Sequence, residues 1–509
     1  MNSFASKVSP TDRQSTLYAR ISDAHQRLAK KDPTIWGPDA VAEATIRLNW
    51  VDLPEKSRDL LPAVDALAAK HRDKKYVVLA GMGGSSLGPE VIAQTYKKQL
   101  FILDSTDPHY LENALAGKLE ETLVVVSSKS GSTIETASAR AFFAHEFKKA
   151  GLALAEHMVI VTDPDSPLDK ESRAQGLSVV NADHNVGGRF SVLSAFGLVP
   201  SALIGVDISI LLDSASDAQR DFLNSPQAIL DCAYVLATAG QYLTFTDENC
   251  GMPGLSDWIE QLVAESTGKN QVGRLPVVVE NLQEGNEGNP LRISFTGNAD
   301  CVVSGDLGAQ FITWEWLTAL VGAALEIDPF NQPNVTEAKE QTSTLLSEWS
   351  GKLPVFSPSA VDKSIGIFGE GDSVLASLQE MIANIPEDGY IAIMAYLDRA
   401  DDARVLELRK ILAHKTKRPV TFGWGPRFLH STGQFHKGGQ RNGAFLQITG
   451  ACTIDFEIPG KNFGFETLLM AQQQGDGRAL ESRSYPLLRL HLNDREHGIG
   501  ELLEAARQL

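Results

Sequence analysis

Residues 81–89 read GMGGSSLGP and residues 127–136 read SSKSGSTIET, each directly or almost directly after a short apolar run, YVVLA and TLVVV. A strand that opens into a Gly- or Ser/Thr-rich turn and then a helix is how α/β proteins hold phosphate. Backbone N–H groups and hydroxyls meet the anion at the positive end of the helix. Two such turns in one αβ stretch imply a single sugar-phosphate pocket at the carboxyl edge of a parallel sheet. Neither is the GxxxxGK[ST] loop of nucleotide hydrolases. GMGGSS also lacks the GxGxxG spacing of dinucleotide sites, which argues against a dehydrogenase.

Outward from these turns, strands and helices alternate from Tyr76 to about residue 204: YVVLAG, QLFILD, TLVVVSS, HMVIVTD and LSVVNA, with helices such as TIETASARAFFAHEFKKA between them. Apolar strands spaced by helices predict a doubly wound, mainly parallel sheet. A second αβ unit runs from about 226 to 350, with YLTFTDE, SDWIEQLVAES and LPVVVEN, then two helices, AQFITWEWLTALVGAAL and VTEAKEQTSTLLSEW. Gly351–Ser359 is rich in Gly, Pro and Ser and reads as a linker. A third αβ unit fills 364–509, and residues 12–75 read as helical. The expected architecture is therefore α/β, with a helical cap over 1–75 and three αβ units over 76–225, 226–350 and 351–509. The second and third units share an order: YLTFTDE, LVAES, GRLPVVVE against YIAIMAYLDR, KILAH, KRPVTFGW. In that overlay Glu265 falls opposite His414. A degenerate duplication and two unrelated units both remain open.

The chain has 509 residues, 46 Lys+Arg against 64 Asp+Glu, and a formal charge of −18. That balance argues against nucleic acid and anionic membrane surfaces as partners. A phosphorylated substrate then needs local cations, and Lys129, Arg189 and Lys339 are the candidates. The four cysteines, Cys232, Cys250, Cys301 and Cys452, are scattered without a CxxC pair and read as reduced thiols. The first residues, MNSFASKVSPTDRQS, lack the apolar core of a signal peptide, and no run approaches membrane-spanning length. The expected location is the cytoplasm.

Four further segments carry chemistry: NVGGRFSVLSAFGL (185–198), AESTGK (264–269), FNQPNVTEAK (330–339) and FLHSTGQ (428–434). Together with the two turns, they make the chain resemble the glucose-6-phosphate isomerase family, of the sugar-isomerase (SIS) fold, over about 76–345 and again from about 419. NVGGRFS is similar to the family's GGR[FY]S signature, and FNQPNVTEAK to its second signature, with Gln332 and Lys339 at the family's separation. The resemblance implies that AESTGK bears the catalytic glutamate, Glu265, and FLHSTGQ the catalytic histidine, His430. It implies phosphate on Ser128, Lys129, Ser130 and Thr133, with Gly84 and Ser85 of the first turn touching the sugar. Gly188 lets the backbone before Arg189 approach the ligand. Family loops commonly carry a threonine or bulkier residue where this chain has Gly131 and Ser132, yet backbone groups and hydroxyls survive the change.

The implied chemistry is an aldose–ketose isomerisation of glucose 6-phosphate and fructose 6-phosphate without a cofactor. The ring opens, and a proton then moves between C2 and C1 through an enediolate. Glu265 would carry that proton. Arg189 would be the fixed positive neighbour of the enediolate oxygen, worth on the order of 3 kcal/mol for one well-placed donor. His430, with Lys339, would open the ring. His430 and His436 stand too far apart for a helical metal-ligand pair, so no metal site is expected.

The order of the segments departs from the family's. Here the Gln332…Lys339 segment precedes the histidine segment, and that histidine lies in the third unit. In the family it reaches the site from the neighbouring subunit of a dimer. A third unit that copies the second could replace that neighbour, giving either a monomer with an internal pseudo-dimer or a homodimer. HSTGQFHKGG is also similar to a segment of the isomerase part of transaldolase–isomerase fusions. Two other readings compete: an isomerase for another phosphosugar such as mannose 6-phosphate, and a non-catalytic SIS-type sugar-phosphate sensor. A sensor needs the phosphate loop but not Glu265, Arg189 and Lys339 together.

Overall fold

The computed structural model describes residues 4–8, 11–115 and 117–509. Three sheets organise them. The first holds β2 (Tyr76–Gly81), β3 (Phe101–Leu103), β4 (Thr122–Ser127), β5 (Met158–Thr162) and β6 (Ser178–Asn181), all parallel, in the order β3-β2-β4-β5-β6. The second holds β1 (Phe4–Val8), β7 (Tyr242–Thr246), β8 (Leu275–Val278), β9 (Leu291–Ser294) and β10 (Cys301–Gly305), ordered β1-β10-β9-β7-β8. The third holds β11 (Ala360–Asp362), β12 (Ile365–Phe368), β13 (Tyr390–Tyr396), β14 (Val420–Trp424), β15 (Gly443–Gly450) and β16 (Leu487–Leu492), ordered β11-β12-β16-β15-β13-β14.

Strand alternation explains why both faces are covered. In β2, Val77 and Leu79 enter one core while Val78 and Ala80 enter another, and β4 and β5 divide their side chains in the same way. In β13, Ile391, Ile393 and Ala395 face one core. Tyr390, Ala392 and Met394 face a second, which also contains Tyr242, Leu275 and Val277 of the second sheet. The second and third units are thus joined by a shared apolar layer. Four strands recur in one order in each sheet: β5-β4-β2-β3, β10-β9-β7-β8 and β16-β15-β13-β14. The second and third sheets also share an antiparallel neighbour, β1 on β10 and β12 on β16. His414, the overlay partner of Glu265, sits half-exposed against Glu284 at 2.9 Å.

One element differs from the expected helical cap. Residues 4–8 form an edge strand that continues the second sheet, because β10 offers an unpaired edge and Phe4–Val8 satisfies it in antiparallel register. Helices Thr16–Leu28 and Leu61–Lys70 and several short turns make up the remainder of the N-terminal segment. Among the described residues no helix is long and apolar enough to cross a membrane.

Candidate active site

The strand order of the first sheet reverses between β2 and β4, and the two turns that follow these strands flank that point. The first turn, Gly83–Ser85, packs on the Gly188–Phe190 turn so closely that a Cβ on Gly84 would strike the Gly188 carbonyl. Only glycine permits that approach. The second turn leads into the helix Ile134–Lys149. Ser128 Oγ accepts from Gly131 N at 3.1 Å, which folds the loop back on itself. Gly131 has φ +77°, and a Cβ there would run into Leu168, so the residue that departs from family loops is required by its neighbour.

Past this loop lies a cavity of about 240 Å³, lined among others by Ser130, Ser132, Thr133, Glu135, Lys339 and His430. Ser130 and Ser132 share a hydrogen bond of 2.6 Å. Thr133 is the N-cap of its helix, yet its hydroxyl makes no capping bond. Three hydroxyls and a helix N-terminus thus border one space. Lys129 is placed elsewhere: its Nζ meets Asp163 at 2.6 Å and donates to the His184 carbonyl at 2.8 Å. Burial pushes this ammonium down, and Asp163 offsets part of that. Lys437 also borders the cavity, but its Nζ is paired with Asp476 at 2.5 Å.

His430 closes the 3₁₀ turn Arg427–His430. Its Nε2 lies 2.9 Å from Glu135 Oε1, which also accepts from Gln472 Nε2 at 2.7 Å. Burial would raise the Glu135 carboxyl, but the charge and hydrogen bond of His430 outweigh it and hold it below the usual range. The bond to Glu135 leaves Nδ1 as the ring nitrogen for further exchange.

Glu265 lies near the end of the helix Leu255–Thr267 and is buried. Its Oε1 is 3.2 Å from Arg189, and its Oε2 accepts from Gln261 Nε2 at 3.2 Å. Gln261 Nε2 also donates to the His430 carbonyl at 2.8 Å. One amide thereby ties the glutamate of the second unit to the histidine turn of the third. Arg189 is fully enclosed and donates to the carbonyls of Glu265 (2.8 Å) and Pro329 (3.2 Å) and to the Gln332 side chain. Burial lowers its affinity for its proton, against the opposing pull of Glu265. Seven positions on, Lys339 projects from the exposed side of the helix Val335–Glu348 into the cavity lining.

The structure thus gathers Ser130, Thr133, Lys339 and His430 on one cavity. Glu265, Arg189 and Gln332 form a second cluster tied to it through Gln261. Ser85 and Ser128 support the turns, while Lys129 is held on Asp163. Glu135 and Gln261 were not singled out from the sequence. Gln261 lies one helical turn before Glu265, and that spacing was the available signal. Glu135 stood inside the quoted SSKSGSTIET stretch. Among the described residues no group of three or more His, Cys, Asp or Glu side chains could hold a metal ion, and all four cysteines are free thiols.

The profile of the phosphoglucose isomerase family matches residues 48–270. Over that span the chain is similar to the phosphoglucose isomerase family. The matched span includes both turns, Arg189, Gln261 and Glu265. A glucose-6-phosphate isomerase of Campylobacter jejuni is 36% identical over 231 residues, 41% of this chain and 55% of that protein. One from Citrifermentans bemidjiense is 34% identical over 263 residues, 46% of this chain and 48% of that one. The chain spans about half the length of the curated relatives it matches. The crystal structure of a glucose-6-phosphate isomerase from Chlamydia trachomatis superimposes with a TM-score of 0.56 at 19% identity, covering 70% of this chain and 90% of that one. That likeness shows the fold alone, the α/β, doubly wound SIS architecture, to which this chain's third sheet adds a further αβ unit. The phosphoglucose isomerase match ends at residue 270, before Lys339 and the whole third unit.

Proposed function

We propose that this protein interconverts glucose 6-phosphate and fructose 6-phosphate, as an aldose–ketose isomerase that needs no cofactor. The observation that carries the reading is the Gln261 amide, which joins Glu265 to the turn bearing His430 beside a hydroxyl-lined cavity. The phosphate sits on Ser130, Ser132 and Thr133 at the helix N-terminus. His430, oriented by Glu135, gives a proton to the ring oxygen while Lys339 assists at the C1 hydroxyl. Glu265 then moves the proton between C2 and C1. Arg189 supplies fixed positive charge beside these carbons as the enediolate forms. Lys129 contributes by fixing the phosphate loop on Asp163, and Gln332 by holding Arg189. The same proposal includes the division into 1–75, 76–225, 226–350 and 351–509. It further includes a cytoplasmic location, catalysis within a single chain, and no nucleic-acid or membrane partner.

The direct test is conversion of fructose 6-phosphate to glucose 6-phosphate by purified protein with a chelator present. We expect full activity. No interconversion would overturn the proposal, and activity that a divalent metal alone restores would overturn its metal-free form. The phosphate site has its own test. Thr133→Ala removes a hydroxyl that caps nothing, so folding stability should hold. Losing one hydrogen bond to a charged oxygen costs roughly 1.5–3 kcal/mol, about a ten- to hundred-fold rise in KM. Inhibition by inorganic phosphate should weaken in parallel. An unchanged KM with unchanged inhibition places the phosphate elsewhere.

A further inference from the structure

The carboxyl edges of the first and third sheets face each other, and arginines from one grip carboxylates of the other. Arg427, at the start of the turn that ends in His430, donates through Nη2 to Glu90 Oε2, and its Nε forms an ion pair with Asp104 Oδ2 at 3.2 Å without a hydrogen bond. Arg399, just past β13, takes the other Glu90 oxygen at 3.0 Å and the Tyr110 hydroxyl at 2.6 Å. Glu90 belongs to the helix Leu87–Thr95, which starts as the first Gly turn ends. All four charged side chains are largely buried, Asp104 almost completely.

We propose that Arg427, anchored by Glu90, is a positioning residue for His430. A buried guanidinium hydrogen-bonded to one carboxylate and ion-paired with a second, both from another unit, has little freedom to swing. Three residues later, the His430 carbonyl is fixed by Gln261 and lies against Gly83 of the first turn. The turn is therefore clamped at both ends, by the first unit at Arg427 and by the second at His430. Its remaining freedom, the direction of the imidazole, is set by Glu135. The inference rests on the proposed isomerase reading, because it assigns the cluster to the ring-opening group and not merely to docking of the units. A second ion pair across the same interface, Arg495 with Asp107 at 2.8 Å, lies far along the chain from the His430 turn and serves as the comparison.

Glu90→Gln keeps the shape and removes the anchoring charge. We expect kcat on cyclic fructose 6-phosphate to fall by about tenfold or more with KM within about threefold, and C1–C2 proton exchange on an open-chain sugar phosphate to stay within about twofold. Asp107→Asn, which loosens the interface away from the turn, should leave both rates near the parent's. Equal losses on both reactions in Glu90→Gln, no loss, or the same split in Asp107→Asn would overturn the assignment. Should Glu90→Gln not fold, Arg427→Lys keeps a positive charge but cannot span both carboxylates, and the same split is expected in milder form. A readout independent of turnover is the His430 ring N–H proton resonance, assigned by its disappearance in His430→Ala. It should persist in Asp107→Asn and shift or vanish in Glu90→Gln. An identical resonance in both variants would refute positioning even if the parent isomerises nothing, whereas an inactive parent with the expected resonances would refute only the isomerase reading.

Discussion

Glu265→Gln is expected to lower kcat for hexose phosphate isomerisation by at least ~10²-fold while KM changes little. The amide matches the carboxylate in size but cannot carry the proton between C2 and C1. Binding should survive because the proposed phosphate site, the Ser130–Thr133 turn, is separate from Glu265. The environment of Glu265 predicts a side effect. Both of its oxygens face donors, Arg189 on one side and Gln261 Nε2 on the other. A glutamine there must turn its own NH₂ toward one of them, which costs about 1–3 kcal/mol of stability for a buried donor left without an acceptor. Solvent-isotope incorporation at C2 is the decisive measurement, with a melting curve beside it. Incorporation at the parent rate would remove Glu265 from the proton transfer.

His430→Ala is expected to impair turnover of the cyclic substrate by about 10²–10⁴-fold, and exchange on an already open-chain analogue far less. The expectation follows from the proposed division of labour, in which the imidazole, fixed through Nε2 on Glu135, handles the ring oxygen and takes no part at C1–C2. Removing the ring also takes from Glu135 the partner that holds its carboxyl below the usual range, leaving Gln472 as a side-chain donor among the described residues. The Glu135 carboxyl should therefore titrate higher in the variant. With burial then unopposed by His430, the stability that the depressed carboxyl gives the parent above the usual carboxylate range should be missing in the variant, whose stability should rise less from acid to neutral pH than the parent's. Parallel losses on cyclic and open-chain substrates would show that His430 does not open the ring.

Local patterns make most of the architecture readable in the sequence. Val77, Val78 and Leu79 alternate between two cores, and a short apolar run that opens into a Gly or Ser turn fits a buried parallel strand. The site was readable where neighbours in sequence act together, as in NVGGRFS or the seven-residue step from Gln332 to Lys339. It was hidden where partners come from distant elements. Nothing near Lys129 announces Asp163, which neutralises it from beyond β5. The partnership of His430 with Glu135, and that of Arg427 with Glu90, join residues hundreds of positions apart. FASKV gave no sign that β10 had a free edge, since strand pairing is decided by the partner's unmet hydrogen bonds.

The second and third sheets share one apolar layer, and Gln261 bridges Glu265 to His430 within a single polypeptide. The two halves of this constellation are therefore tethered reactants. Their encounter is governed by an effective concentration fixed by the tether and the shared layer, for which even short flexible linkers reach the millimolar range. On the proposed single-chain reading, mass action between separate molecules does not enter, and activity per chain should not change on dilution.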